Sequence, residues 1–230
     1  MVRFRILFSI VLATAAVLLF ASTATAETPL ASWDMEDPGV MTDSIDGHDG
    51  TTTAISSIVG VSGAGYAFDG VSSRVVVSNP DGDLNPGDQD FSFTVHVRFT
   101  EAPSVKQGTY DLMRKGNSTT PGGYWKTEVV RADDGASRIG CYFGGSANAS
   151  AKRVAGDDLA DGAWHTITCK RTTAALQKIW TIIDGVAASK TVTVGTIANS
   201  DPVLLGSKTA TGKVGDPYKG WMDEVSISIP

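Results

Sequence analysis

Carboxylates are the reactive groups this sequence supplies most densely. Asp34, Glu36, Asp37, Asp43, Asp46 and Asp49 fall within sixteen residues. Acids so close repel one another unless solvent or a cation lies between them. The plainer use is turn formation, since the same stretch, EDPGVMTDSIDGHDGTTT, is rich in Gly and Thr. Glycoside hydrolysis with retention would need two carboxyls about 5 Å apart across the bond. On a strand that means acids two residues apart, and no E-x-D-x-E run is present. Asp223 and Glu224 are adjacent, so a regular strand points them to opposite faces. Asn79, Asp81 and Asp83 match the start of a calcium loop, but Leu84 stands where the sharp-turn glycine belongs. His48 and His96 have no visible nucleophile partner, and His165, which follows Trp164, is read as packing or backbone bonding. A catalytic site is not expected.

Aromatic side chains in loop-rich segments are the candidates for ligand contact. Tyr124 and Trp125 follow Pro121-Gly122-Gly123, and Tyr218 and Trp221 lie near the end. An exposed ring can stack on the apolar face of a sugar, and the same ring can fill a core. Trp33, Trp164 and Trp180 are read as core. Asn117-Ser118-Thr119 and Asn148-Ala149-Ser150 fit the glycosylation pattern.

The elements that must hold these residues are strands. Trp164–Val194 reads as three antiparallel strands in a row, with Asp184-Gly185 suited to a two-residue turn. In Trp164–Arg171, His165, Ile167, Cys169 and Arg171 share one face. Phe91–Thr100 alternates most cleanly, with Phe91, Phe93, Val95, Val97 and Phe99 on one side. About a dozen such segments are punctuated by Gly, Pro, Asp and Ser, with a single helical turn allowed at Thr172–Gln177. Each sheet has one apolar face to bury, so two packed antiparallel sheets are the expected solution. The fold class is all-β, one sandwich over residues 27–230.

Residues 1–26 read as a signal peptide: Arg3 and Arg5, an apolar run from Ile6 to Ala21, then Ala24-Thr25-Ala26. A retained anchor is the rival reading. The chain carries a net charge of −6, or −8 without that segment. This balance argues against nucleic acid, which needs a basic stripe. Cys141 and Cys169 are the two cysteines, and in an exported chain a disulfide is favoured over two buried thiols.

The runs ASWDMED, DSIDGHDGT, GYAFDGVSSRVVV, DFSFTVHVRF, GAWHTITCKRT, WTIIDG and YKGWMDEVSIS together resemble the laminin G-like jelly-roll domains of the concanavalin A-like lectin/glucanase superfamily. The resemblance covers nearly all of residues 27–230. One departure is His96, where the family often has Trp. The resemblance implies a twisted sandwich and often a calcium ion, for which Asp34, Glu36, Asp43, the turn Asp69-Gly70 and Asp223 are the expected ligands. It also implies a secreted, extracellular, non-catalytic recognition domain that binds a glycan. The alternatives are a structural or protein-interaction domain and, less favoured, a glycan-active hydrolase or lyase.

Overall fold

The computed structural model describes residues 27–229, so the expected signal peptide lies outside the described residues. Sixteen strands follow in order: β1 (Thr28–Trp33), β2 (Val40–Met41), β3 (Gly50–Thr53), β4 (Ser56–Val59), β5 (Ala64–Asp69), β6 (Arg74–Val77), β7 (Phe91–Arg98), β8 (Thr109–Lys115), β9 (Tyr124–Arg131), β10 (Ser137–Gly144), β11 (Ala151–Ala155), β12 (His165–Thr172), β13 (Lys178–Ile183), β14 (Val186–Thr191), β15 (Val203–Leu205) and β16 (Lys219–Ile229). No helix occurs among the described residues. Of Thr172–Gln177, where one helical turn was allowed, Thr172 ends β12 and the remainder is an irregular bend.

Two antiparallel sheets form a jelly-roll sandwich. The first runs β14-β13-β12-β7-β16-β5-β4, with β1 also paired to β16. The second runs β11-β10-β9-β8-β15-β6-β3-β2. The expected three-strand meander is β12-β13-β14, closed by Asp184 and Gly185 at φ of 50° and 81°. Two successive positive φ angles match the right-handed twist of the flanking strands.

Alternation explains the core. Phe91, Phe93, Val95, Val97 and Phe99 of the β7 segment are buried, as are His165, Ile167, Cys169 and Arg171 of β12. They meet Trp125, Ile139, Cys141 and Phe143 from the second sheet. The Trp125 ring centroid lies 4.6 Å from Phe93 and 5.3 Å from Phe91. Cys141 and Cys169 form a disulfide with Cα atoms 5.5 Å apart. Their strands are not neighbours in one sheet; the bond crosses the core from β10 to β12.

Of the three tryptophans read as core, Trp33 is buried, while Trp164 and Trp180 are half-buried. Trp180 pairs with Lys170 on the outer face of the first sheet, where Lys178 stands 5.2 Å from its ring.

Candidate functional site

A groove lies on the outer face of the second sheet, between the loops leading into β9 and out of β10. One half, about 450 Å³, is lined by Arg114, Lys126, Tyr142, Lys152, Lys208 and hydroxyl or amide groups of residues 117–119 and 150. The other, about 410 Å³, is walled by Gly122, Gly123, Gly144 and Gly145 with Ser118, Thr120, Ser146 and Thr196. Tyr124 and Ser118 border both halves. Small-ligand sites span roughly 300–1,000 Å³, so each half has the capacity of one.

Strand register builds the floor. Arg114 pairs with Lys126, Lys126 with Tyr142, and Tyr142 with Lys152, a row across four strands. A bulge between Asp111 and Met113 brings Asp111 and Arg114, three residues apart, to the same outer face. Without that extra residue the alternation would separate them. Asp111 faces Glu128 in the neighbouring row. Arg114 Nη1 donates to Asp111 Oδ2 at 2.9 Å, and its Nε donates to the Gly116 carbonyl at 3.0 Å. Lys126 donates to Glu128 and sits 4.7 Å from the Tyr142 ring centroid.

Two glycines on β10 let tyrosine rings lie against the sheet. A Cβ at Gly144 would come within 2.3 Å of the Tyr124 ring, and one at Gly140 within 2.4 Å of the Tyr142 ring. Burial pushes the Asp111 carboxyl up to about 6, against the pull of Arg114 and Lys126. Burial also raises the Tyr142 hydroxyl, helped by the nearby Glu128 charge. Asp111 and Glu128 are themselves buried, and neither lines the groove.

The predicted ligand aromatics divide sharply. Tyr124 does border the groove, although little of it is exposed. Trp125 is the next residue of the same strand, so it must face inward, and it is fully buried against Phe91 and Phe93. Tyr218 is also fully buried, packed on Phe68 and Tyr110, with its hydroxyl donating to the carbonyls of Arg98 and Trp221. Neither ring is offered to a ligand. Trp221 is half-buried under the Arg98 guanidinium, 4.4 Å from its ring, beside a smaller cavity of about 200 Å³ on the first sheet.

The predicted calcium ligands divide as well. Asp43 accepts backbone N–H groups from Ser32, Ile45, Asp46 and His48. Burial would raise this carboxyl, but those amides outweigh it and hold it low. Asp69 accepts from the amides of Val71, Ser72 and Ser73. Burial opposes that charge too, and the Ser72 hydroxyl and the amides prevail. Gly70 serves this turn with φ of 74°.

Asp34, Glu36 and Asp223 do share a rim, where β1 and β16 meet the turn at Gly60–Gly63. Asp223 Oδ2 accepts from Val61 and Ser62, its Oδ1 from Glu224, and Glu36 Oε2 from Ala64. Burial raises the Asp223 carboxyl, and burial together with Asp223 raises that of Glu224. Among the described residues, no three Asp, Glu, His or Cys side chains are placed to hold a metal ion. Asp43, Asp69 and Asp223 have both carboxylate oxygens engaged by backbone N–H or hydroxyl donors and Glu36 has one, so the expected ligands do not converge on a calcium ion as they stand.

The groove residues that sequence reasoning missed are Arg114, Lys126, Tyr142, Lys152 and Lys208. Tyr142 was within reach, as the outward residue between Cys141 and Phe143. The others become a set only once the register is known.

A family model described as the concanavalin A-like lectin/glucanases superfamily matches residues 68–228. The chain belongs to that superfamily. Its match begins in β5, so the acidic N-terminal loop lies outside the matched residues. No curated protein matches the chain. Among solved structures, the binding domain of Paraclostridial Mosquitocidal Protein 1 superposes with a TM-score of 0.68 at 14% identity, covering 87% of this chain and 48% of that one. The binding domain of Botulinum Neurotoxin DC, solved in complex with SialylT, gives 0.60 at 12% identity, with 87% and 47% covered. Botulinum neurotoxin type C, whose cell entry depends on interaction with two ganglioside molecules, gives 0.61 at 10%, with 87% and 47% covered. The chain spans about half the length of these structures. At such identities the likeness is one of fold.

Proposed function

We propose that this superfamily member is a non-catalytic, extracellular carbohydrate-recognition domain whose binding surface is the groove on the second sheet. The carrying observation is its floor: Tyr142 and Tyr124 lie against glycines of β10, ringed by hydroxyl, amide and cationic donors. Flat rings beside convergent polar groups suit a pyranose, which has one apolar face and an equator of hydroxyls. The binding domains with the same fold, one solved with SialylT and another from a toxin that engages gangliosides, support the reading by analogy.

Support for the absence of catalysis comes from two carboxyls beside the groove floor. Asp111 and Glu128 are buried in the neighbouring row and bound to Arg114 and Lys126. Neither is free to flank a scissile bond as a glycosidase requires. Their work is to hold the neighbouring cations in place. The test is a glycan array probed with the purified protein and with Tyr142→Ala. Binding lost in the variant, with an unchanged melting temperature, is expected. Undiminished binding by Tyr142→Ala would move the site elsewhere, and cleavage of a bound polysaccharide would overturn the non-catalytic assignment.

A further inference from the structure

The two halves of the groove differ in charge. Four cations line the larger half (Arg114, Lys126, Lys152 and Lys208) and no carboxylate does. The glycine-walled half contains no charged side chain. That concentration is unexpected in a chain of net charge −6. The acids that could cancel it stand beside it: Asp111 and Glu128 buried in the neighbouring row, Asp216, 3.4 Å from Lys208, and Asp201, which accepts from Thr120 at 2.8 Å and borders an adjoining cavity with Arg114 and Lys208. Among the described residues Lys152 is exposed and has no carboxylate within ion-pair distance. Arg114 spends Nε and Nη1 on protein acceptors, which fixes the guanidinium plane, and among the described residues Nη2 has no protein acceptor.

Resting on the carbohydrate reading above, we propose that the groove selects an acidic saccharide. A sugar unit carrying a carboxylate or sulfate sits over Arg114, Lys126 and Lys152, and a neutral unit occupies the glycine-walled half. Oriented charge-assisted donors favour a planar carboxylate over a hydroxyl in the same place. The Tyr142 ring forms part of the floor beneath the acidic unit, with Lys126 Nζ over its face 4.7 Å from the centroid.

Titration calorimetry with oligosaccharides of uronic acids, sulfated oligosaccharides and neutral oligosaccharides of equal length tests this, with polyglutamate as a non-sugar polyanion. The acidic sugars are expected to bind best and to weaken with added salt. Lys152→Gln should cost about fivefold and Lys152→Glu about tenfold or more for acidic sugars, with neutral sugars within about twofold. Lys152 is exposed, so neither change threatens the fold. Preference for uronate over sulfate, or the reverse, names the anion. Neutral sugars bound as tightly as acidic ones would sink the charge selection and leave the carbohydrate reading standing. Polyglutamate bound as well as the acidic sugars would reduce the groove to a general anion surface and overturn the proposal. Binding of no sugar at all would remove both readings.

Discussion

Removal of the inter-sheet disulfide measures how much of this sandwich is held by a covalent tie beneath the groove. The perturbation is Cys141→Ala with Cys169→Ala, because serine would bury hydroxyls without partners. The bond closes a loop of 28 residues. The chain-entropy relation assigns such a loop about 12 cal/mol/K, or about 3.5 kcal/mol at room temperature. Both sulfurs are fully buried among apolar side chains, so their deletion adds about 1 kcal/mol each in lost contact and cavity. The total is about 5 kcal/mol, within the stability of an ordinary domain. At about 2–4 °C per kcal/mol for a chain of this size, the midpoint should fall by roughly 10–20 °C.

Urea unfolding followed by both far-ultraviolet dichroism and tryptophan fluorescence would give the free energy, provided the two transitions coincide. Cys141 sits between Gly140 and Tyr142, directly under the groove floor, so sugar binding well below the midpoint should survive if the sheet is otherwise self-supporting. A midpoint shift under about 3 °C would refute the reasoning, since the unfolded chain would then gain little freedom from losing the tie.

Three shorter predictions follow from the placement of other side chains. Trp125→Ala should cost about 3–5 kcal/mol through core loss, yet leave glycan affinity of the folded protein unchanged in the cold; affinity lost without a change in melting would return Trp125 to the site. Millimolar calcium against chelator should move the melting temperature by less than about 1 °C, whereas a rise of several degrees would show an ion bound only to the folded state and restore Asp34, Glu36 and Asp223 as ligands. His48 bridges Asp43 at 3.1 Å and Asp83 at 2.8 Å, and His165 bridges Asp184 at 2.7 Å and Asp161 at 3.1 Å. Burial disfavours both charged rings, but the carboxylates outweigh it and raise both histidines above their ordinary value. Stability from these bridges is therefore full below the unfolded histidine pKa, about 6.5, and is lost as pH rises through the raised folded values. Asp43, Asp83 and Asp161 are held low, so their share is lost only in acid, as pH falls through their folded values. Melting temperature should peak near pH 5–6 and decline by a few degrees toward pH 8, and His48→Gln with His165→Gln should flatten that decline.

The limits of reading this sequence are set by how far each inference travels along the chain. Alternation is local, and it carried the core face of β7 and the meander, while the cysteine pairing rested on an even count in a chain read as exported. The same alternation separates Tyr124 from Trp125, so only one of that pair can line a surface, and the stacking argument had set it aside. Asp43 and Asp69 were legible as turn acids from neighbouring Gly and Ser, but their saturation by backbone N–H groups depends on loop paths that composition does not specify. The cationic row is of another kind. Arg114, Lys126, Tyr142 and Lys152 lie on four strands, and their alignment requires three registers and a bulge at Leu112 whose effect is to move Arg114 from one face to the other. A shift of one residue in any of those pairings would send a lysine inward and a core residue out. Burial of Leu112, Trp125 and Phe143 therefore selects the register, and the register assembles the groove: the apolar side that was readable decides the polar side that was not.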